Sequence, residues 1–402
     1  MDKQLSVCVL TTSYPKTPND DSSIFVKRLV ESFANLNISG CVITPYDRQG
    51  EVQETQGIFR LFRVKYGIIM PGILASGEGI VPRLKKYPFL IFQAPGLLLA
   101  LAYKAFKLRN SYKIIQANWL PVGIAALIVN IITKIPYIVS IRGSDMKLLK
   151  LKVFNPIFRL VLKKASFIVS VNESFISDLK NFSTLSNEKF HFIPNGVSYE
   201  EPSDELLIQV RKQYHLKEED KYLIHIGRVI PLKKIELLIE LLSHKALKEY
   251  KLLVVGRSHN KVYLNSLQKK AAQLEVQNRL NFLGSVSPSL IPALLKTSNI
   301  YISSSSHEGR PNAMLEALAA GLPVIASNIN GHKEIIEHEK NGFVFNFDET
   351  EHIAKTILLI EDNQDLRVTI SENAKKSIAN YTWSATAKKY QDIFRKSNQY
   401  LS

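Results

Sequence analysis

Short apolar runs recur along the chain, and most are followed by a stretch whose apolar positions return at helical spacing. QLSVCVL reads as a buried strand running into the loop TTSYP. Residues 22–36 carry a helical pattern, and GCVITP follows as a second strand. The alternation continues through YKIIQANW and VGIAALIVNIIT, then PYIVSIRGSD, then KKASFIVSVNES. Such alternation predicts a parallel α/β sheet. It stops at HFIPNGVSYEEPSDE, where turn-forming residues crowd together, so a domain boundary is expected near residues 195–204. A second α/β series then begins, with strands KYLIHIG, YKLLVVG, RLNFLG, NIYISSSS, PVIAS and GFVFN. WSATAKKYQDIFRKSNQY closes the chain as one amphipathic helix. The pattern predicts two doubly wound domains, residues 1–200 and 201–380, and a C-terminal helix over 381–402.

The charge is +16 overall and unevenly placed. Residues 1–200 hold 25 Lys/Arg and 13 Asp/Glu, or +12, while residues 201–402 hold 27 and 23, or +4. No acid occurs in residues 79–144, against nine basic residues. Nucleic acid and an anionic membrane are the usual partners of such an asymmetry. Neither a stacking platform nor a recognition helix accompanies the charge, so nucleic acid is not expected as a partner. Within the acid-free stretch, residues 87–103 carry no charge, and cations flank both ends. These 17 residues are short for a bilayer span, and Pro88, Pro95 and Gly96 interrupt them. A surface-lying amphipathic element on an anionic inner leaflet is expected; a core helix with a solvated basic edge is the alternative. Cys8 and Cys41 read as two buried thiols in a reducing compartment. The apolar run LSVCVL is too short for a signal peptide, so a cytoplasmic protein at the inner membrane face is expected.

Chemistry concentrates in the second half. SSSSHEGRPNAMLEALAAGLPVIAS places Glu308 just before a helix and Glu316 one turn or so inside it. Pro311 suits the first turn, and Gly321 the C-terminal stop. Free backbone N–H groups near Gly309, Asn312 and Ala313 form an end that attracts anions. A carboxylate accepts two hydrogen bonds from a vicinal diol, so such a pair suits a nucleotide-sugar: phosphates at the helix end, ribose on one glutamate, sugar on the other. Alternatively, Glu308 merely favours the helix dipole and Glu316 is a solvated helix residue. HIGRVIPLKK adds Arg228 and Lys233 on one loop at a strand's carboxyl end, a pair suited to a diphosphate. Gly227, Gly256 and Gly284 close three of the predicted strands at the edge where open parallel sheets bind ligands.

GRVIPLKKIELLI, NFLGSVSPSLIPALLKTSNIYISSSSHEGRPNAMLEALAAGLPVIAS, GHKEII and NGFVF together resemble the donor domain of glycosyltransferase family 4, whose members are retaining enzymes of the GT-B fold. The resemblance spans residues 222–348 and extends more loosely into the first half through SYP, IFVKRL, WLPVG, IRGSD and FIPNGV. It implies two Rossmann-like domains facing a cleft, with the final helix crossing back to the first domain. By the same resemblance Arg228 and Lys233 hold the donor diphosphate, Glu316 binds ribose and Glu308 contacts sugar hydroxyls. Gly309, Arg310, Pro311 and Asn312 lie beside them, and the stretch from Phe282 through Gly284 to Val286 lines the base pocket.

Two departures fall in the first half. Asp21, Ser22 and Ser23 stand where family members often carry glycine for close approach to the phosphates. Asn118 stands where many relatives have histidine, and reads as a sugar or acceptor contact or as an ordinary loop asparagine. Arg142 reads as an acceptor or phosphate contact, with a salt bridge to Asp145 as the rival. No Asp-x-Asp triplet suited to a metal is visible, so no metal or other cofactor is expected. The expected activity is retaining, metal-independent transfer of a sugar from a UDP- or GDP-type nucleotide-sugar. The expected acceptor is a glycan or polyprenyl-type lipid-linked sugar in surface polysaccharide biosynthesis. A sugar-nucleotide epimerase and a non-catalytic nucleotide-sugar binder are the alternatives.

Overall fold

The computed structural model describes residues 4–17, 20, 23–46, 53–67, 72–75, 80–258 and 260–399. The chain divides into two units: residues 1–196 with 383–402, and residues 197–382. The last helix therefore belongs to the same unit as the first strand.

The first unit is built on one eight-stranded sheet. Its strands are β1 (Ser6–Leu10), β2 (Ser39–Pro45), β3 (Gln53–Gln56), β4 (Phe59–Val64), β5 (Ile114–Asn118), β6 (Tyr137–Ile141), β7 (Phe167–Ser170) and β8 (Phe190–Phe192). They lie in the order β3-β4-β2-β1-β5-β6-β7-β8. Every pairing is parallel except the antiparallel hairpin β3/β4. Eight helices accompany them among the described residues: α1 (Ile24–Asn35), α2 (Ile80–Lys86), α3 (Gln93–Lys107), α4 (Val122–Thr133), α5 (Ser144–Leu149), α6 (Asn155–Lys164), α7 (Ser174–Ser183) and the C-terminal helix Trp383–Gln399. Side chains alternate across a strand. Thus Val7 and Val9 enter the core shared with α1 and the C-terminal helix Trp383–Gln399. Cys8 and Leu10 enter the core shared with α3, α4 and α6. Cys8 and Cys41 are register partners on β1 and β2, both buried and reduced. Burial pushes the Cys8 thiol up, and the Cys41 thiol beside it adds to the effect.

Three features depart from the sequence pattern. The hairpin β3/β4 was not expected. HFIPNGV begins inside an edge strand, β8, rather than in a turn. Pro95 and Gly96 do not interrupt the apolar run: Pro88 opens a 3-10 turn, Pro88–Phe92, and Pro95 lies in the first turn of α3. Backbone N–H groups there have no helical partner, so proline costs nothing.

The second unit carries six parallel strands in the order β11-β10-β9-β12-β13-β14. They are β9 (Lys221–Ile226), β10 (Tyr250–Val255), β11 (Leu280–Gly284), β12 (Ile300–Ser303), β13 (Val324–Ser327) and β14 (Phe343–Phe345). The chain winds outward from β9 through β10 to β11, then restarts beside β9 at β12. The helix Asn312–Ala319, which follows β12, ends where Gly321 takes a positive φ of 71°. The N–H of Leu322 reaches the carbonyl of Ala317 at 3.0 Å and that of Gly321 reaches Leu318 at 3.0 Å. This double bond pattern ends helices on a left-handed glycine.

Candidate functional site in the second unit

In an open α/β sheet the loops at the reversal of strand order leave a crevice at the carboxyl edge. Here the loops after β9 and β12 meet at that position. The Ser304 hydroxyl donates to the carbonyls of Lys233 at 2.9 Å and Lys234 at 2.8 Å. The Ser306 N–H donates to the Leu232 carbonyl at 2.9 Å, and its hydroxyl does so at 3.1 Å. Serines after β12 thus stitch one loop to the other and fix where Lys233 stands.

Lys233 points at Glu308, with Nζ 2.5 Å from Oε1. The Ser305 hydroxyl donates to the same oxygen at 2.7 Å. Burial alone would push the Glu308 carboxyl up. The charge of Lys233, its hydrogen bond and that of Ser305 outweigh burial and hold the pKa below the ordinary carboxylate range. Behind this pair, the Ser327 hydroxyl donates to the Ser305 carbonyl at 2.5 Å. His332 Nδ1 lies 2.9 Å from the Ser327 carbonyl, and His225 Nδ1 lies 3.0 Å from the Ile302 carbonyl. A carbonyl only accepts, so both imidazoles carry their proton on Nδ1 and leave Nε2 as a lone pair. Burial, with Lys233 next, lowers His225 to about 4. Burial also lowers His332. Both rings are neutral near pH 7, and both Nε2 atoms are buried with no protein partner.

Glycines make room for this arrangement. A Cβ on Gly227 would lie 3.2 Å from Lys233 Cε and 3.4 Å from His225 Nε2. Gly256 has φ 142°, and a Cβ there would lie 2.0 Å from the Gly227 carbonyl oxygen. The Gly227 N–H donates to Val255 at 2.8 Å and the Gly256 N–H to Gly284 at 2.7 Å, so the three strand ends are laced together. Gly331 packs on the other side, where a Cβ would lie 2.6 Å from the Glu308 carbonyl oxygen.

The remaining expected residues take distinct places. Arg228 is exposed on the β9 loop, Phe282 is half-buried and Val286 is buried. Gly309, Arg310, Pro311 and Asn312 lead into the helix Asn312–Ala319, and Pro311 is buried. Glu316 is half-buried on that helix. Burial raises the Tyr301 phenol well above its usual range, and both Glu308 and Glu316 raise it further. Arg310 turns toward Tyr381, with its guanidinium carbon 4.9 Å from the ring centroid. Sequence reasoning missed Ser304, Ser305, His225, Gly331 and His332. The four-serine run was visible as a strand tail, but its partners lie up to 74 residues away.

In the first unit, Arg142 does not pair with the Asp145 carboxylate through its guanidinium. Its Nη1 donates to Asn195 Oδ1 and its Nη2 to Asn118 Oδ1, both at 2.6 Å. The guanidinium carbon stands 5.0 Å from the Phe25 ring centroid. Asp145 is buried and accepts from the backbone N–H groups of Leu120 and Arg142, each at 2.6 Å. Desolvation raises its pKa to about 6 against those hydrogen bonds. Asp145 thus clamps the loops after β5 and β6. Asn118 is buried at the end of β5, and its Nδ2 has no protein partner. Ser23 caps α1 in the left-handed region, φ 54° and ψ 37°, where glycine is at ease. Asp21 and Ser22 lie outside the described residues. Among the described residues, no group of three or more His, Cys, Asp or Glu side chains is placed to hold a metal.

Residues 208–377 match the family described as glycosyl transferases group 1, and residues 22–196 match the glycosyl transferase 4-like domain. N-acetyl-alpha-D-glucosaminyl L-malate synthase of Bacillus anthracis is 24% identical over 300 residues, 72% of this chain and 76% of that protein. UDP-Gal:alpha-D-GlcNAc-diphosphoundecaprenol alpha-1,3-galactosyltransferase of Escherichia coli is 28% identical over 199 residues, 48% of this chain and 50% of that protein. Among solved structures, sucrose-phosphate synthase from Thermosynechococcus elongatus superposes with a TM-score of 0.80 at 17% identity, covering 98% of this chain and 99% of that one. The two Rossmann-like units and the returning helix define a glycosyltransferase of GT-B architecture. The chain belongs to the group 1 glycosyltransferases of family 4.

Proposed function

We propose that the second unit binds a nucleoside-diphosphate sugar and that the enzyme transfers the sugar, with retention and without a divalent metal, to a glycan or lipid-linked acceptor of surface polysaccharide assembly. The observation that carries this reading is the Lys233–Glu308 pair, held on Ser305 at the reversal point of the sheet. The E. coli relative, a UDP-Gal enzyme acting on a diphosphoundecaprenol acceptor, supports the donor and acceptor classes.

Cleavage of the anomeric bond leaves negative charge on the diphosphate and positive character on the sugar. Lys233 and the exposed Arg228 supply fixed positive charge on one short loop, and the N–H groups opening the helix Asn312–Ala319 add donors. Glu308, ionised across the neutral range, orients Lys233 and accepts from sugar hydroxyls. Glu316 accepts from the ribose diol. Charge neutralisation by side chains replaces the metal, and front-face displacement, in which a departing phosphate oxygen takes the acceptor's proton, avoids the need for a protein nucleophile. Asp145 has both oxygens engaged by backbone amides, which disfavours it as the acid/base group of an epimerase.

A thermal-shift screen across UDP-, GDP-, ADP- and dTDP-sugars tests the donor class, since a ligand of the folded form raises the melting temperature with concentration. Transfer should survive chelation. Loss of transfer in EDTA with recovery on adding magnesium or manganese would overturn the metal-free mechanism.

A further inference from the structure

The side of the first sheet that carries α3, α4 and α6 has an apolar edge that the fold leaves uncovered. All three helices run back from the carboxyl edge of parallel strands, so their amino ends share that edge. They also pack as one layer: α3 and α4 are neighbours, and Gly123 of α4 sits so close to Val161 of α6 that a Cβ would lie 2.6 Å from Cγ1. At the amino end of α3 the 3-10 turn Pro88–Phe92 presents Phe89, Ile91 and Phe92 to solvent, with Phe92 85% exposed. At the amino end of α6 a second 3-10 turn, Lys152–Phe154, presents Val153, 79% exposed, beside Leu151 and Phe154. Large apolar side chains in two separate turns at one edge are not surplus core: Leu90, Leu97 and Leu101 of the same segment already serve the interior.

Charge singles out the occupant. In residues 79–172 the sequence has fifteen Lys/Arg and a single acid, Asp145, which is buried. Lys86, Lys150 and Lys152 flank the two turns on the surface, and Lys86 Nζ stands 5.2 Å from the Tyr87 ring centroid. Apolar tips ringed by lysine, with tyrosine at their base, are the chemistry of an anionic bilayer surface: aromatic and aliphatic groups enter the acyl boundary while cations meet the headgroups. The segment Pro88–Lys107 has the length and mean hydropathy, 1.6, of a spanning helix, but its inner face is part of the domain core. Those core contacts tie the segment to its domain and argue against its crossing a bilayer. We infer that the turns Pro88–Phe92 and Lys152–Phe154 form a two-pronged wedge that docks the first unit on an anionic membrane. This gives residues and geometry to the lipid-linked acceptor of the proposed function and rests on that reading only for its purpose.

The test uses the full chain and flotation with vesicles of phosphatidylcholine alone or with phosphatidylglycerol. Wild type should partition at least tenfold more onto the phosphatidylglycerol vesicles. The double variants Phe89→Ser/Phe92→Ser and Val153→Ser/Phe154→Ser should each lower partitioning about tenfold or more. Charge reversal at Lys86, Lys150 or Lys152 should lower it roughly fivefold per site, less so at high salt. Val262→Ser, at an exposed apolar position in the second unit, should change nothing. The inference falls if wild type shows no preference for acidic vesicles, if either prong variant binds like wild type, or if sedimentation velocity shows that the prongs instead pair two copies of the chain. A nucleotide-sugar thermal shift on the same proteins separates the two claims. Vesicle binding without any donor shift would sink the proposed function and leave the wedge standing; a donor shift without vesicle binding would do the reverse.

Discussion

Gly331 rests against the backbone of Glu308, with no space for a methyl group between them: an added Cβ would lie 2.6 Å from the Glu308 carbonyl oxygen and 3.1 Å from its Cβ. Alanine at 331 must push the Glu308 loop away from Lys233. Overpacking of this kind costs about 1–3 kcal/mol. Gly331→Ala is expected to weaken donor binding by about tenfold or more while lowering the melting temperature only modestly. Titration calorimetry with the donor identified by the thermal-shift screen would check it, and an unchanged affinity would remove Gly331 from the site.

Lys233→Ala should cost both activity and stability. Stranding the poorly exposed Glu308 carboxylate is expected to cost about 2–4 kcal/mol of folding free energy. Removing a charge that meets the developing diphosphate is expected to cost on the order of 10²-fold or more in turnover. The stability difference from wild type has a pH signature. Glu308 has a depressed pKa in the folded state, so the pair's contribution is present above the ordinary glutamate pKa and fades as pH falls through the folded value. Urea midpoints of both proteins should converge in acid. A gap that stays constant down to pH 3 would show that the pair is not ionic.

Asp145 has the opposite sign. Its pKa is raised to about 6 in the fold, so its favourable contribution is complete below the ordinary aspartate pKa and is lost as pH climbs through 6. The shift corresponds to about 3 kcal/mol between pH 4 and pH 7. Asp145→Asn removes this titration but keeps only one acceptor oxygen for the two amides of Leu120 and Arg142, at a cost of about 1–3 kcal/mol near pH 7. Stability measured from pH 4 to 7 should be flatter for the variant than for wild type. Parallel curves would show that Asp145 does not titrate in this range.

Deleting residues 383–402 should abolish folding of the first unit. Trp383, Ala387, Tyr390, Ile393 and Phe394 are buried in the core with Val7, Phe33 and Ile138, and Phe33 meets the Tyr390 and Phe394 rings edge-on. Tyr390→Phe is the graded version: it loses the 3.0 Å contact with the Ser140 hydroxyl and should cost about 1 kcal/mol. Far-UV circular dichroism and solubility report the truncation, and thermal melting reports the point change. A soluble, cooperatively melting truncation would contradict the packing described.

Period and punctuation made much of this architecture readable. Runs such as SVCVL and YKLLVV are buried on both faces and cannot be amphipathic helix, and Gly321 marked a helix end that the double amide bond confirms. What escaped did so for physical reasons. In the hairpin β3/β4, the first strand, QETQ, has no apolar residue, and Arg63 on the second is buried because it donates to the Pro15 carbonyl at 2.9 Å. A polar residue satisfied by a distant carbonyl looks like a surface residue in one dimension. The same holds at the site. Arg228, Lys233, Glu308 and Glu316 became candidates through charge, spacing and the family resemblance together, whereas Ser305, Gly331 and His332 make contacts that only the folded sheet creates. Arg142 was visible as a candidate, but its two amide partners, Asn118 and Asn195, come from separate strand ends.

The returning helix also sets an order of events during synthesis. A ribosome delivers residues 1–196 first, yet one of the two layers covering their sheet, begun by α1, stays incomplete until residues 383–402 emerge. Residues 197–382 meet no such delay, because every strand of their sheet is contiguous in the chain. The half made first is thus the half completed last, and the nascent protein carries an unfinished apolar face through most of its translation.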